Sequence, residues 1–210
     1  LDGGAGNDSM VGGAGNDYYI VDSLTDSVAE ASSGGTDSVY ASVNNVTLGS
    51  NVEWLIFDAA TSVASGTGNS ISNTLVGNGA NNTLDGGAGN DSLVGGLDNN
   101  TLLGGNGDDT LDAYSDIHSS AYHPIRNAIT NSLIGGSGND YYILNSSRDV
   151  VVESAGLGSD TINAWFDYTL PDNVEALYLS SGSNITGNGN SLNNHLDATF
   201  ASSSTLDGGG

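Results

Sequence analysis

GGAGNDSLV, running from Gly86 to Val94, is one of five copies of a single phrase, G-G-x-G-x-D-x-U-x, in which U is a large apolar residue. The others are GGAGNDSMV (Gly3 to Val11), GGAGNDYYI (Gly12 to Ile20), GGNGDDTLD (Gly104 to Asp112) and GGSGNDYYI (Gly135 to Ile143). Each phrase joins a glycine-rich turn, whose carbonyls can point inward because glycine tolerates positive φ, to one carboxylate and a short strand bearing one core residue. The repeating unit is thus an oxygen-rich loop followed by a strand.

Position eight of the phrase sets the register of everything between the copies. It falls at Met10, Tyr19, Val28, Val39, Leu48 and Leu55, then at Leu75, Leu84, Leu93, Leu102 and Leu111, and it resumes at Leu133, Tyr142, Val151, Ile162, Leu170 and Leu177. A spacing near nine predicts a strand-turn-strand-turn coil of eighteen residues, with coils stacked about 4.8 Å apart and each strand paired with the one above. About twelve coils would make a rod roughly 55 Å long on that spacing.

A longer repeat overlies the short one. GGAGNDYYI followed by Asp26, Val28, Glu30, Gly35, Asp37, Val39, Asn51, Val52, Glu53 and Leu55 recurs as GGSGNDYYI followed by Asp149, Val151, Glu153, Gly158, Asp160, Ile162, Asn173, Val174, Glu175 and Leu177. Such fidelity predicts duplicated blocks of one solenoid: residues 1-112, a looped-out insertion at 113-125, and a second block at 126-210 continuous with the first. The final Leu206-Asp207-Gly208-Gly209 repeats the letters of Leu1-Asp2-Gly3-Gly4, as expected of a piece of a longer array.

Composition narrows the function classes. Glycine supplies 32 of the 210 residues, roughly twice the ordinary share of ~7%, with no collagen period. There are 25 acidic groups against Arg126 and Arg148, and the net charge of -23 repels nucleic acid and anionic lipid alike. The same charge opposes compaction of a chain with few aromatics, and no cysteine is present to form a disulfide. A bound divalent cation is the remaining staple. No apolar run approaches the ~18 residues of a membrane span, and no charged-then-apolar leader opens the sequence.

The five phrases resemble the nonapeptide of RTX (repeats-in-toxin, hemolysin-type) proteins. The resemblance implies an all-β fold, a right-handed parallel β-roll (β-solenoid) with calcium in its glycine-rich turns. It further implies export from a Gram-negative bacterium by type I secretion, with folding on meeting calcium outside the cell.

Calcium takes six to eight oxygens at about 2.3 to 2.6 Å, more than one loop supplies, so two loops must share each ion. Loops on one edge of an eighteen-residue coil recur every eighteen residues. Asp91 with Asp109 and Asp8 with Asp26 fit that interval, while Asp17 with Asp37 and Asp140 with Asp160 lie twenty apart. Gly35 and Gly158 keep their place two residues before the second aspartates, as a two-residue insertion in the same site would require. Asp149, the counterpart of Asp26, joins the candidate ligands. The resemblance adds carbonyls from positions one and three of the first loop and two and four of the second. It nominates Gly86, Ala88, Gly105 and Gly107 around Asp91 and Asp109, and extends to Gly3, Ala5, Gly12, Ala14, Gly135 and Ser137.

Position six is asparagine at Asn73, Asn82, Asn100 and Asn131. Counting coils places Asn82 and Asn100 on one edge and Asn73, Asp91 and Asp109 on the other. Stacked amides can hydrogen-bond without an ion, so the middle block is expected to carry metal on one edge only. The insertion AYSDIHSSAYHPI, Ala113 to Ile125, holds Asp116, His118 and His123, but a five-residue histidine spacing fits no ligand motif. A bulge is the better reading. Tyr18 and Tyr141 suggest a carbohydrate platform less readily than plain strand residues.

No nucleophile elbow, P-loop or zinc-protease motif is present, which points away from an enzyme. The sequence therefore predicts a calcium-binding structural or accessory segment of a large exported protein, as a spacer or folding module, or within a surface layer, adhesin or extracellular filament. End-to-end joining of copies is an expected partnership, because cut solenoid ends leave unpaired strand edges. A carbohydrate-binding or polysaccharide-modifying module is the alternative.

Overall fold

A computed structural model describes residues 1–60, 62, 64–114, 129–180 and 184–209. Among them the chain is all strand and turn, wound as two walls of parallel strands. One wall holds β2 (Tyr18–Val21), β4 (Ser38–Ala41), β6 (Trp54–Phe57), β8 (Thr74–Val76), β10 (Ser92–Val94), β12 (Thr110–Asp112), β14 (Tyr141–Ile143), β16 (Thr161–Ala164), β18 (Ala176–Leu179) and β20 (His195–Asp197), hydrogen-bonded in that order. The other wall holds β1 (Ser9–Val11), β3 (Ser27–Ala29), β5 (Val46–Thr47), β7 (Ala64–Thr67), β9 (Asn82–Ala88), β11 (Thr101–Asn106), β13 (Ser132–Ser137), β15 (Val150–Val152), β17 (Tyr168–Thr169), β19 (Thr186–Asn188) and β21 (Thr205–Asp207).

Alternation within each strand sends position eight inward. Leu84, Leu102 and Leu133 stack on one wall and Leu75, Leu93 and Leu111 on the other, and all six are fully buried. Burying such a side chain stabilises by about 1.5–3 kcal/mol. Of the predicted register only Val28 is not buried, and it packs on the core's flank; Leu48 and Leu170 are buried but sit two residues past the column, where Val46 and Tyr168 pair with Gly66 and Gly187.

Ten strands on one wall correct the expected twelve coils. Some coils run longer than eighteen residues, and thirteen extra residues separate β12 from β13. Pairing nevertheless continues across that insertion: Leu102 faces Leu133 and Leu111 faces Tyr142. The predicted insertion keeps only Ala113 and Tyr114 inside the described residues, so Asp116, His118 and His123 lie outside them.

Two coils lack a large residue where the period predicts one. Gly66 and Gly187 occupy those core places in β7 and β19, and a Cβ on Gly66 would lie 2.7 Å from Leu55 and 2.8 Å from Phe57. Their neighbours' bulk already fills the space. On the same wall the ladder breaks twice, between β3 and β5 and between β15 and β17. Glu30 and Glu153 are the first residues after the strands that end there.

Candidate metal centres

The loops preceding the ten-stranded wall form one edge of the solenoid, and those preceding the other wall form the opposite edge. Four of the five perfect phrases share the first edge; only Gly3 to Val11 lies on the second. Within each loop, positions two and four take the positive φ that only glycine tolerates cheaply, as at Gly105 (φ 112) and Gly107 (φ 124).

The position-six side chains of the first edge make a continuous column. The N–H of each residue donates to a carboxylate oxygen one coil further on: Asn73 to Asp91 at 2.7 Å, Asp91 to Asp109, Asp109 to Asp140 at 2.8 Å each, and Asp140 to Asp160 at 2.9 Å. Asp17 donates likewise to Asp37 at 2.8 Å. Asp37 and Asp160 end the motif by donating to Glu53 and Glu175, at 2.8 and 2.7 Å. The structure therefore stacks each carboxylate pair named from spacing, and adds Asp109 with Asp140 across the insertion. That pair, thirty-one residues apart, was hidden by the broken period.

Asp37, Asp91, Asp109 and Asp140 each use Oδ1 in this ladder. Their Oδ2, and that of Asp17, is buried with no hydrogen-bond partner. A buried charge without a partner is expensive, and burial raises the Asp140 carboxyl and pushes those of Asp91 and Asp109 up to about 6 and about 7; Asp160, at the end of the column, is likewise pushed up to about 6. A bound cation would neutralise these atoms. Loop carbonyls face the same spaces: a Cβ built on Gly86 would meet Asp91 Oδ2 at 2.4 Å and the Gly104 carbonyl oxygen at 2.7 Å. Asp109 Oδ2 and the Gly135 carbonyl are paired in the same way beside Gly104. Oxygen-only donors of this kind fit a hard divalent ion.

The carbonyl order differs from the expected one. Gly86 turns its oxygen back toward Gly68, while Gly105 and Gly107 turn theirs forward to Gly136 and Gly138, so none of the three faces the space between Asp91 and Asp109. That space receives Gly87 and Gly89 from the first loop and Gly104 from the second. The first loop thus offers positions two and four and the second offers position one. Position three, as at Asn106, accepts the N–H of Gly89 at 2.8 Å. The chain direction of successive peptide planes sets this order, and spacing alone does not reveal it.

The opposite edge is different. Asp8 Oδ2 is buried and unpartnered, but Asp26 uses Oδ1 on the N–H of Asp8 and Oδ2 on the N–H groups of Asp22 and Ser23. Asp149 does the same with Asn131, Asn145 and Ser146. Both aspartates, candidate ligands from their place in the repeat, serve as hydrogen-bond acceptors for their own loops. Between them Asn82, Asn100 and Asn131 form the expected amide ladder, Asn82 Nδ2 donating to Asn100 Oδ1 at 2.8 Å and Asn100 Nδ2 to Asn131 Oδ1 at 3.2 Å.

Two further acids reach the first edge. Oxygens of Asp17, Glu30 and Asp37 lie within 4.8 Å of one another, as do those of Asp140, Glu153 and Asp160. Neither glutamate was among the ligands expected from the nonapeptide, although both recur in the longer repeat. Burial raises the Glu153 carboxyl to about 7.

Comparison with known proteins agrees with this geometry. The family model of the RTX calcium-binding nonapeptide repeat matches four times, at residues 1–28, 67–102, 89–116 and 130–151. The chain is similar to the endo-1,3-1,4-beta-glycanase ExsH of Rhizobium meliloti (strain 1021), 47% identical over 58 residues, covering 28% of this chain and 11% of that protein. It is also similar to the endo-1,3-1,4-beta-glycanase EglC of the same strain, 43% identical over 63 residues, covering 30% of this chain and 13% of that protein. The match thus spans little more than a tenth of either relative. No solved structure matches. A column of aspartates on glycine-rich turns, wound into a parallel solenoid, is thus built on RTX calcium-binding nonapeptide repeats, matched in four copies along the chain.

Proposed function

We propose that this chain is a calcium-dependent structural segment of an exported bacterial protein, whose acidic edge holds a row of ions that allows the solenoid to form. The observation that carries the reading is the set of buried, unpartnered Oδ2 atoms of Asp17, Asp37, Asp91, Asp109 and Asp140, opposite forward- and backward-facing loop carbonyls. Asp91, Gly87, Gly89, Gly104 and Asp109 would hold one ion, and Asp109, Gly105, Gly107, Gly135 and Asp140 the next. Calcium supplies neutralising charge there, and its binding free energy adds to folding.

The role is binding and mechanical, without catalysis. Exported proteins meet millimolar calcium only outside the cell, so a chain whose acidic edge repels itself without the ion stays unfolded until then. Lack of cysteine suits such a metal staple, and among the described residues no helix is long and apolar enough to cross a membrane. Secretion by a type I system, and a place in a surface layer, adhesin or filament, follow as parts of the same proposal.

A second reading rests on the outward face of β2, β4 and β6. Tyr18 stacks on Tyr40 at 6.2 Å beside exposed Trp54, an arrangement that suits sugar rings, and two relatives bear glycanase names. Glycan binding at fixed calcium, lost on Tyr40→Ala, would favour it. The main reading is tested by a crystal structure grown in calcium, with anomalous scattering used to place the ions. Peaks between successive acidic-edge loops support it, and peaks only on the asparagine edge would overturn it.

A further inference from the structure

We infer that Glu30 and Glu153 complete two calcium sites of a second kind, in which a side-chain carboxylate takes the place of a loop carbonyl. The inference rests on the reading that the aspartate column binds calcium, and goes beyond it to residues the nonapeptide does not include. Both glutamates, together with Asp37 and Asp160, also lie outside the stretches matched by the repeat model.

The substitution is visible beside the position-one glycines. A Cβ on Gly104 would meet Asp109 Oδ2 at 2.4 Å and the Gly135 carbonyl oxygen at 2.5 Å. On Gly135 it would meet Asp140 Oδ2 at 2.2 Å and, where the carbonyl of a following phrase would stand, Glu153 Oε1 at 2.5 Å. On Gly12 the corresponding atoms are Asp17 Oδ2 at 2.4 Å and Glu30 Oε1 at 2.3 Å. The cause is local. After Gly12 to Ile20 and Gly135 to Ile143 the next loop on this edge is two residues longer and carries no position-one glycine pair, so no main-chain carbonyl arrives. The side chain of the residue just after β3 or β15, Glu30 or Glu153, takes that place.

Each glutamate is aimed by its other oxygen. Glu30 Oε2 accepts the N–H groups of Gly13 and Ala31, at 3.2 and 3.3 Å, and Glu153 Oε2 accepts that of Ser154 at 3.2 Å. Oε1 faces the site and accepts the phenol of Tyr19 or Tyr142, the position-eight residue that is leucine in the other first-edge phrases. The second cluster is enclosed, with Asp140, Asp160 and Glu153 1%, 2% and 9% exposed, whereas in the first Asp37 is buried and Asp17 and Glu30 are half-buried. Asp17 and Asp140 aim unpartnered Oδ2 atoms beside Gly12 and Gly135, and the Oδ2 of Asp37 is also buried without a partner. Three carboxylates gather where Asp91 and Asp109 offer two. Affinity for calcium rises with the charge of the ligand set, so these two sites should fill first and fasten the longer coils at the sheet breaks.

The tyrosines supply the test. Terbium(III) takes oxygen sites and emits when a nearby phenol is excited, so titration of the full chain with Tb³⁺ should give an early, tyrosine-sensitised phase. Glu30→Gln with Glu153→Gln should weaken that phase at least about tenfold, and Glu30→Gln alone should remove about half its amplitude, with Glu153 as an internal control for folding. Asp91→Asn should leave it intact. Calorimetry with Ca²⁺ should show loss of the tightest class in the glutamine variants. An early phase unmoved by Glu→Gln, with calcium still bound elsewhere, would overturn this inference alone. A wild-type chain that binds no calcium would overturn it together with the reading beneath it.

Discussion

Asn82 and Asp91 hold the same place in the nine-residue phrase, one on each edge of the solenoid, and each faces the position-one carbonyl of the coil that follows. Asn82 Nδ2 donates to that carbonyl, at Gly95, over 2.9 Å. Asp91 presents Oδ2 to the corresponding carbonyl of Gly104, and two acceptors meet with no proton between them. The difference is NH₂ for O. An amide makes the edge self-sufficient, and a carboxylate makes it dependent on a cation, on the same backbone and in the same register. In the middle coils, therefore, the side chain and not the fold decides which edge would need a cation.

The strongest way to break the contrast is to convert the acidic edge. Asp91→Asn, Asp109→Asn and Asp140→Asn together should let amides reach the Gly104 and Gly135 carbonyls. Bound calcium should fall by the ions between those loops, and the middle coils should keep strand signal in chelator. Unchanged calcium stoichiometry in equilibrium dialysis would rule out the shared sites. The reverse exchange is smaller. Asn100→Asp removes the donor that now reaches Leu97 O, Asp98 O and Asn131 Oδ1, at 3.1, 3.2 and 3.2 Å. It should destabilise the calcium-loaded chain by about 2 to 3 kcal/mol, measured by urea unfolding. A neutral result would mean the amide ladder contributes little.

Asp91→Ala and Asp109→Ala bear on a single shared space, so their losses of calcium affinity should be strongly non-additive. A double variant that loses the sum of two independent effects would contradict the sharing. The smallest effect is that of pH on the metal-free chain. Burial lifts Asp91 and Asp160 to about 6 and Asp109 and Glu153 to about 7, from an unfolded value near ~4. A raised folded pKa adds stability that is complete below the unfolded value and is lost as pH rises through the folded one. Calcium-stripped protein should therefore keep more strand signal at pH 5 than at pH 8, by circular dichroism. The opposite order would mean these carboxylates are not buried together.

Periodicity made the walls legible: a large residue every nine positions needs a coil, and Leu75 to Leu111 follow it without exception. The aspartate pairs were legible for the same reason. What escaped has physical causes. Asp109 with Asp140 lay across an insertion that breaks the count, although the structure keeps the strands in register around it. The carbonyl order depends on peptide-plane direction, which residue letters do not carry. Asp26 and Asp149 look like ligands in sequence, but their own loops offer two N–H donors each and use the oxygens first. Glu30 and Glu153 left a signal, since each recurs with its aspartates in the longer repeat, but a nine-residue frame has no place for them.

An acidic edge that closes only around calcium ties strand content to the ion. Far-ultraviolet circular dichroism of the isolated chain, followed from chelator into rising calcium, tests it most directly. Little strand signal is expected without the ion, then a cooperative rise to the parallel-strand spectrum, with each filled site adding about 2.7 kcal/mol at a hundredfold excess over Kd. A chain already fully folded in chelator at neutral pH, with a spectrum that calcium leaves unchanged, would contradict it.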